Sequence, residues 1–160
     1  MQYAQLAAGT ALISGPKNEE ICSAYLLVQL YPVPPKHWEE DRGWIYLGVA
    51  ICRIAQDINL NCPMTAKPLN QHHTRRLLSR TQIWLNCFNL DRSTGTQYGK
   101  RAIIPNSDYV ARHCDMWWQL SPYDLSGFDI QTCIYNMELR LMAVFMAKIY
   151  SDRVLQHPPL

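Results

Sequence analysis

Residues 44–58, WIYLGVAICRIAQDI, carry their apolar side chains at helical intervals. Trp44, Leu47, Gly48, Ile51, Ile54, Ala55 and Ile58 follow one another at steps of 3, 1, 3, 3, 1 and 3. That spacing lays them along one side of an α-helix. Asp41 stands where it can cap the start, and Asn61-Cys62-Pro63 bars continuation. Gly48 on the stripe predicts close approach by a neighbouring element.

The flanking sequence extends the pattern. Residues 2–14 read as a short helix closed by Gly15-Pro16. Asn18 is a good N-cap for a helix over 19–31, and Glu19 and Glu20 suit the positive end of its dipole. Pro32-Val33-Pro34-Pro35 stops that helix. After a polar link over 64–71, a longer helix is expected over 72–98. Its stripe is Leu77, Thr81, Trp84, Leu85, Phe88 and Asp91, and Gly99 ends it. Residues 100–107 form a loop. Ser107 and Asp108 open a helix to about 120 that carries Tyr109, Val110, Met116 and Trp117. A turn over 121–127 leads into a last helix over 129–151. Ile130, Ile134, Met137, Leu141, Phe145 and Ile149 line one face of it, while Leu139, Met142 and Met146 lie elsewhere. A helix apolar nearly all round predicts burial in a larger assembly. No alternating strand pattern appears. The expectation is an all-α, irregular array of about six helices, a single region over 1–160 forming part of a larger helical domain.

Composition agrees. Of 160 residues, 48% are apolar and 18% charged, too apolar for a disordered tail. Net charge is +2, a balance that does not by itself argue for nucleic acid. Apolar runs are broken by Arg53, Asn86 and Lys148, well short of the ~20 residues that span a bilayer. The start, MQYAQLAAGTALISG, has no basic region, so no signal peptide is expected and a reducing compartment is. Cys22, Cys52, Cys62, Cys87, Cys114 and Cys133 include no C-x-x-C pair. They read as reduced core thiols rather than zinc ligands.

Among chemistry-bearing residues, Asp91 is the most informative. It continues the stripe of Trp84 and Phe88, and a buried carboxylate needs a partner. The expected partner is a basic or amide group from another element, an ion pair that locks a helix crossing. Adjacent His72 and His73 point about 100° apart on a helix and cannot share a metal. Arg75, Arg76, Arg80, Arg92, Lys100, Arg101 and Arg112 make the middle of the chain basic, which reads as a solvated face or partner-helix contacts. No G-x-S-x-G, P-loop or G-x-G-x-x-G occurs. No catalytic or metal residue is singled out. Two other classes stay open. One is a ligand-sensing module with a cavity lined by Trp84, Trp117 and Met137. The other is a small enzyme with a Cys/His or Asp/His site assembled in space.

Three runs carry a family resemblance: AYLLVQLYPVP at 24–34, WEEDRGWIYLGVAICRIAQDINLN at 38–61 and RTQIWLNCFNLDRSTGTQYGKRAIIPNSDYV at 80–110. In this order they resemble the middle homology region of fungal zinc binuclear cluster transcription factors, most closely the basidiomycete type. The most telling piece is W-x-x-x-F-x-L-D-R from Trp84 to Arg92, followed by Gly99 and its loop. The resemblance implies an all-helical regulatory region rather than an enzyme, in the nucleus. It makes Asp91 and Arg92 the family's acidic–basic pair, Gly99-Lys100 its Gly-basic step and Asp108 its acidic position after the loop. Arg101 stands where the family usually has proline. Implied partners are proteins of the transcription machinery or another copy of the factor, with a small-molecule inducer in some members. DNA contact, and zinc as cofactor, belong to the family's N-terminal cysteine cluster. These residues lack such a cluster, so a fragment or a domain without its DNA-reading half is expected.

Overall fold

The helix ends form where side chains or left-handed residues serve the backbone groups that a helix leaves unpaired. The computed structural model describes residues 2–31, 37, 43–63, 69–120 and 127–156, and all regular structure among them is helical. Helix α1 is Gln2–Ser14 and α2 is Glu19–Leu30. Helix α3, Gly43–Gly48, runs into a π-wound segment, Val49–Ala55. Helix α4 is Gln71–Tyr98, and α5, Tyr109–Arg112, leads to a 3-10 helix at Cys114–Leu120. Helix α6 is Phe128–Gln156. The proline stop at 32–35, the Asp41 cap, most of the link at 64–71 and most of the turn at 121–127 lie outside the described residues.

Asn18 caps α2 by accepting from the Ile21 N–H at 2.8 Å, and Asn70 caps α4 from the His73 N–H at 2.8 Å. Asp108 caps α5 from the Ala111 N–H at 2.8 Å. Gly99 ends α4 at φ 62°, and the Lys100 N–H returns to the Gly95 carbonyl at 2.8 Å. Asn59 adopts φ 57° in the turn that follows the π-wound segment. There Leu60 N–H bonds Ala55 O at 2.9 Å and Asn59 N–H bonds Gln56 O at 3.0 Å, the paired closure of a Schellman motif.

Two helices differ from the expected α-form. The stretch at 44–58 is α-helical only to Gly48, after which bonds run five residues back, as from Gln56 N–H to Ile51 O at 3.1 Å. Leu47, Ala50, Ile51, Ile54 and Ala55 are still all buried. Apolar steps of 3 and 1 suit both windings, so the spacing did not separate them. Gly48 is half-buried and a Cβ there would meet nothing within 4 Å. The close approach falls instead at Ala50, whose carbonyl accepts from the Cys22 thiol at 3.6 Å. The helix expected over 108–120 is one α-turn followed by tighter 3-10 winding.

The core forms where α2, α3 and the π-wound segment meet α4. Tyr25, Leu26, Leu47, Ile51, Trp84 and Phe88 fill it. The inward side of α4 is wider than the expected stripe. Leu78, Ile83, Cys87, Asn89 and Thr94 are buried, whereas Leu77 and Thr81 are half-buried. Neighbours on three sides (α2, α5 and α6) account for the width. Trp44 and Ile58 are half-buried at the margin of the core.

Helix α6 reverses the expected orientation. Asp129, Thr132, Cys133, Asn136 and Leu139 are buried, while Ile134, Met137, Leu141 and Phe145 are exposed. Ile130 and Ile149 are half-buried. The inward side wins because its polar groups have fixed partners. Asn136 donates to Asn89 at 3.2 Å, Asn89 donates to Thr132 O at 3.3 Å, and Arg140 donates to Ala111 O at 3.1 Å. No described helix is long and apolar enough to cross a membrane.

Candidate functional site

The residues of the W-x-x-x-F-x-L-D-R helix and its loop come together as one clamp. Trp84 is buried, and its indole N–H donates to Asp108 Oδ1 at 3.0 Å. The same oxygen caps α5, so Asp108 ties two helices. Asp91 is fully buried, and its two oxygens accept from the Ile103 N–H at 2.9 Å and the Ile104 N–H at 2.7 Å. Arg92 donates to the Ile104 carbonyl at 2.7 Å and lays its guanidinium 5.1 Å from the Phe88 ring centroid. Gly99 lets the chain turn back, Lys100 contributes its backbone N–H, and Ile104 fills the space enclosed.

Asp91 therefore differs from its expected role. The expected partner, a basic or amide group from another element, is met by two backbone amides of the loop, but there is no ion pair among the described residues, so Asp91 pins residues 103–104 to α4 instead of locking a helix crossing. Two consecutive N–H groups aimed at one carboxylate satisfy both oxygens at once. Burial pushes the Asp91 carboxyl above its ordinary value of 3.8, against the pull of the two amides and of Arg92. Burial likewise lowers Arg92 from its ordinary value, opposed by Asp91.

Among the described residues, Trp84, Trp117 and Met137 are not brought together around one cleft. Trp84 and Trp117 are core side chains, and the Trp117 indole N–H finds no acceptor among the described residues. Met137, at 41% exposure, borders a separate cleft of about 200 Å³ with Arg140 and Leu141. The trio separates because α6 turns its polar side inward and takes Met137 out.

The arginines of the middle segment are largely engaged. Arg80 donates to Glu19 at 2.7 Å and to Ile58 O at 2.6 Å, where it serves the end of the π-wound segment. Arg76 meets Glu19 at 3.4 Å, and Lys17 pairs with Asp57. Lys17, Glu19, Arg76 and Arg80 rim a cleft of about 640 Å³. His37, His72 and His113 are exposed, and the His73 ring accepts from the Leu69 N–H at 3.2 Å. Among the described residues no three His, Cys, Asp or Glu side chains are grouped to hold a metal ion.

Four thiols are buried, but Cys52 and Cys62 are exposed, so the reading of all six as core groups fails for these two. Cys52 lies on the outward side of the π-wound segment and Cys62 beyond its end. The Cys22 thiol donates to Ala50 O at 3.6 Å and the Cys114 thiol to Asn136 Oδ1 at 3.2 Å, and their neighbouring thiols are Cys87 and Cys133. In each pair the neighbouring thiol and burial push one member up, Cys87 and Cys114.

A further surface lies apart from the candidate residues. Between α2, α4 and α6 runs an apolar groove of about 550 Å³. Leu27, Leu30, Leu90 and Phe128 supply its apolar wall, with Asn86 and Gln131 as polar points. The sequence held one sign of it: Asp129, Thr132, Asn136 and Arg140 recur at steps of 3, 4 and 4, a polar stripe on an otherwise apolar helix. Read as inward, that stripe places Phe128 and Tyr135 beside α2 and α4.

Over 113 residues, 69% of its length, the chain is 30% identical to Protein priB of Lentinula edodes, of which this covers 20%. The chain thus spans about one fifth of the length of that curated relative. No family model matches the chain, and no solved structure matches it.

Proposed function

We propose that this chain is a regulatory protein-interaction domain of a fungal transcription factor, acting in the nucleus through partner contact. The observation that carries the reading is the apolar groove between α2, α4 and α6, with Leu27, Leu30 and Phe128 each about half exposed at its edge. Contiguous apolar surface rimmed by polar groups marks an interaction site. The likeness to Protein priB over 113 residues, together with the resemblance of residues 24–110 to the middle homology region, supplies the transcriptional context. In this reading the clamp around Asp91 holds the scaffold rigid, and no residue is given a catalytic, metal or cofactor role. DNA reading and zinc belong to a cysteine cluster that these residues do not contain.

The test is to tether the chain to a heterologous DNA-binding domain upstream of a reporter in a fungal cell. Reporter output should change several-fold. Leu30→Glu combined with Tyr135→Glu, both solvent-exposed positions, should abolish the change while helicity by circular dichroism is retained. A tethered chain that leaves output unaltered would falsify the reading. The amides of Asn86 and Gln131 in the groove favour a second reading, an inducer-sensing module. Saturable binding of a small apolar amide or ketone, lost in the same double variant, would select it.

A further inference from the structure

The outer side of α6 goes beyond the groove. Asp129, Thr132, Cys133, Asn136 and Leu139 turn inward, and the opposite side is largely exposed. Leu141 is 68% and Phe145 64% exposed there, with Ile134 at 49%. The helix has 29 residues, a length of ~43 Å at 1.5 Å per residue.

Charge supplies the register. Glu138, Leu141, Phe145 and Lys148 follow at steps of 3, 4 and 3, and Glu138 and Lys148 are both exposed. Those steps are the two seam positions of a heptad. We infer that this face pairs with the same face of a second copy, antiparallel, about a two-fold axis level with Ala143. In that arrangement Glu138 of one copy meets Lys148 of the other, and Leu141 meets Phe145. The symmetry repeats both layers, so two apolar layers lie between two opposite-charge layers. A parallel pair in register sets Glu138 against Glu138 and Lys148 against Lys148, which repel. The seam therefore selects one direction as well as one occupant. The interface is isologous and closes as a dimer without leaving a surface for further growth.

Sedimentation equilibrium of the full chain tests this. The parent chain should show a reversible monomer–dimer equilibrium. Glu138→Lys or Lys148→Glu alone places like charges in both layers and should weaken the dimer about tenfold, from two symmetric layers each worth a few-fold. The double swap, Glu138→Lys with Lys148→Glu, restores opposite charges and should return the dimer to within about threefold of the parent. All positions are exposed, and circular dichroism checks that helicity is kept. Salt gives a second reading on the unsubstituted chain, since screening should loosen the dimer. A chain monomeric over the accessible concentration range overturns the inference, whether it is simply monomeric or keeps this face for a different protein. So does a double swap no tighter than the single ones, or a dimer indifferent to salt. None of these results touches the reporter test of the groove, which involves other residues.

Discussion

Asp91 concentrates the physics of the clamp in one side chain. A carboxylate with no exposed surface has given up its hydration, and the Ile103 and Ile104 amides replace it. Asp91→Ala removes the acceptor for both amides and leaves the buried Ile104 N–H unpaired. The expected cost is about 3 kcal/mol of unfolding free energy by urea titration, on the scale of breaking a buried charged contact. A change near zero would show that the loop finds other acceptors. The pH dependence has a definite sign. Burial holds the folded-state carboxyl above 3.8, so the folded chain binds this proton more tightly than the unfolded one. The associated stability is present below the unfolded value and is lost as pH rises through the raised folded value. The advantage of the parent over Asp91→Asn should therefore widen as pH falls from neutral into that window. Paired urea titrations at neutral and mildly acid pH read it directly, and a narrowing advantage would mean that the amides outweigh burial. The sequence located Asp91 on the inward side of its helix but not its partners. Backbone amides carry no side-chain signature, and Ile103-Ile104 reads only as an apolar loop.

At the scale of elements, ends were more legible than winding or facing. Asn18, Gly99 and Asp108 act as expected because capping depends on one side chain or one φ angle. The π-winding after Gly48 was not legible, since helices of either pitch bury residues at 50, 51, 54 and 55 equally well. The facing of α6 was misread for a different reason. An almost uniformly apolar helix has no strong preferred side, and the polar stripe through Asn136 became decisive only with Asn89 on α4 to meet it. The two left-handed ends give a paired prediction. Gly99→Ala puts a Cβ on a residue at φ 62° and should cost about 1 kcal/mol. Asn59→Ala, at φ 57°, should cost a similar amount, whereas Asn59→Gly should cost almost nothing. Thermal melts of the three variants check it. An Asn59→Gly loss equal to that of Asn59→Ala would show that the Asn59 side chain, not its backbone, matters.

The whole molecule has one shared element, α4, with α2, α3 and the π-wound segment on one part of its surface and α5 and α6 on others. The buried thiols sample both sides of it. Cys22 and Cys87 are neighbours across the meeting of α2 with α4, and Cys114 and Cys133 across that of the 3-10 helix with α6. If the fold is one cooperative unit, both pairs stay closed until all of it opens. Thiol labelling in the reduced chain should then find two reactive groups in the native state, Cys52 and Cys62, and four more only through the unfolding transition. Burial and the paired thiol both keep the Cys87 and Cys114 protons in place, which further slows attack, since the thiolate is the reactive form. Labelling of the four in increasing denaturant should follow the same midpoint as the loss of helicity. Modification of Cys114 and Cys133 at lower denaturant than Cys22 and Cys87 would divide the molecule at the α4–α6 contact. That contact would then be a separate, weaker unit held mainly by Asn89, Thr132 and Asn136, and the groove beside it would open and close with α6.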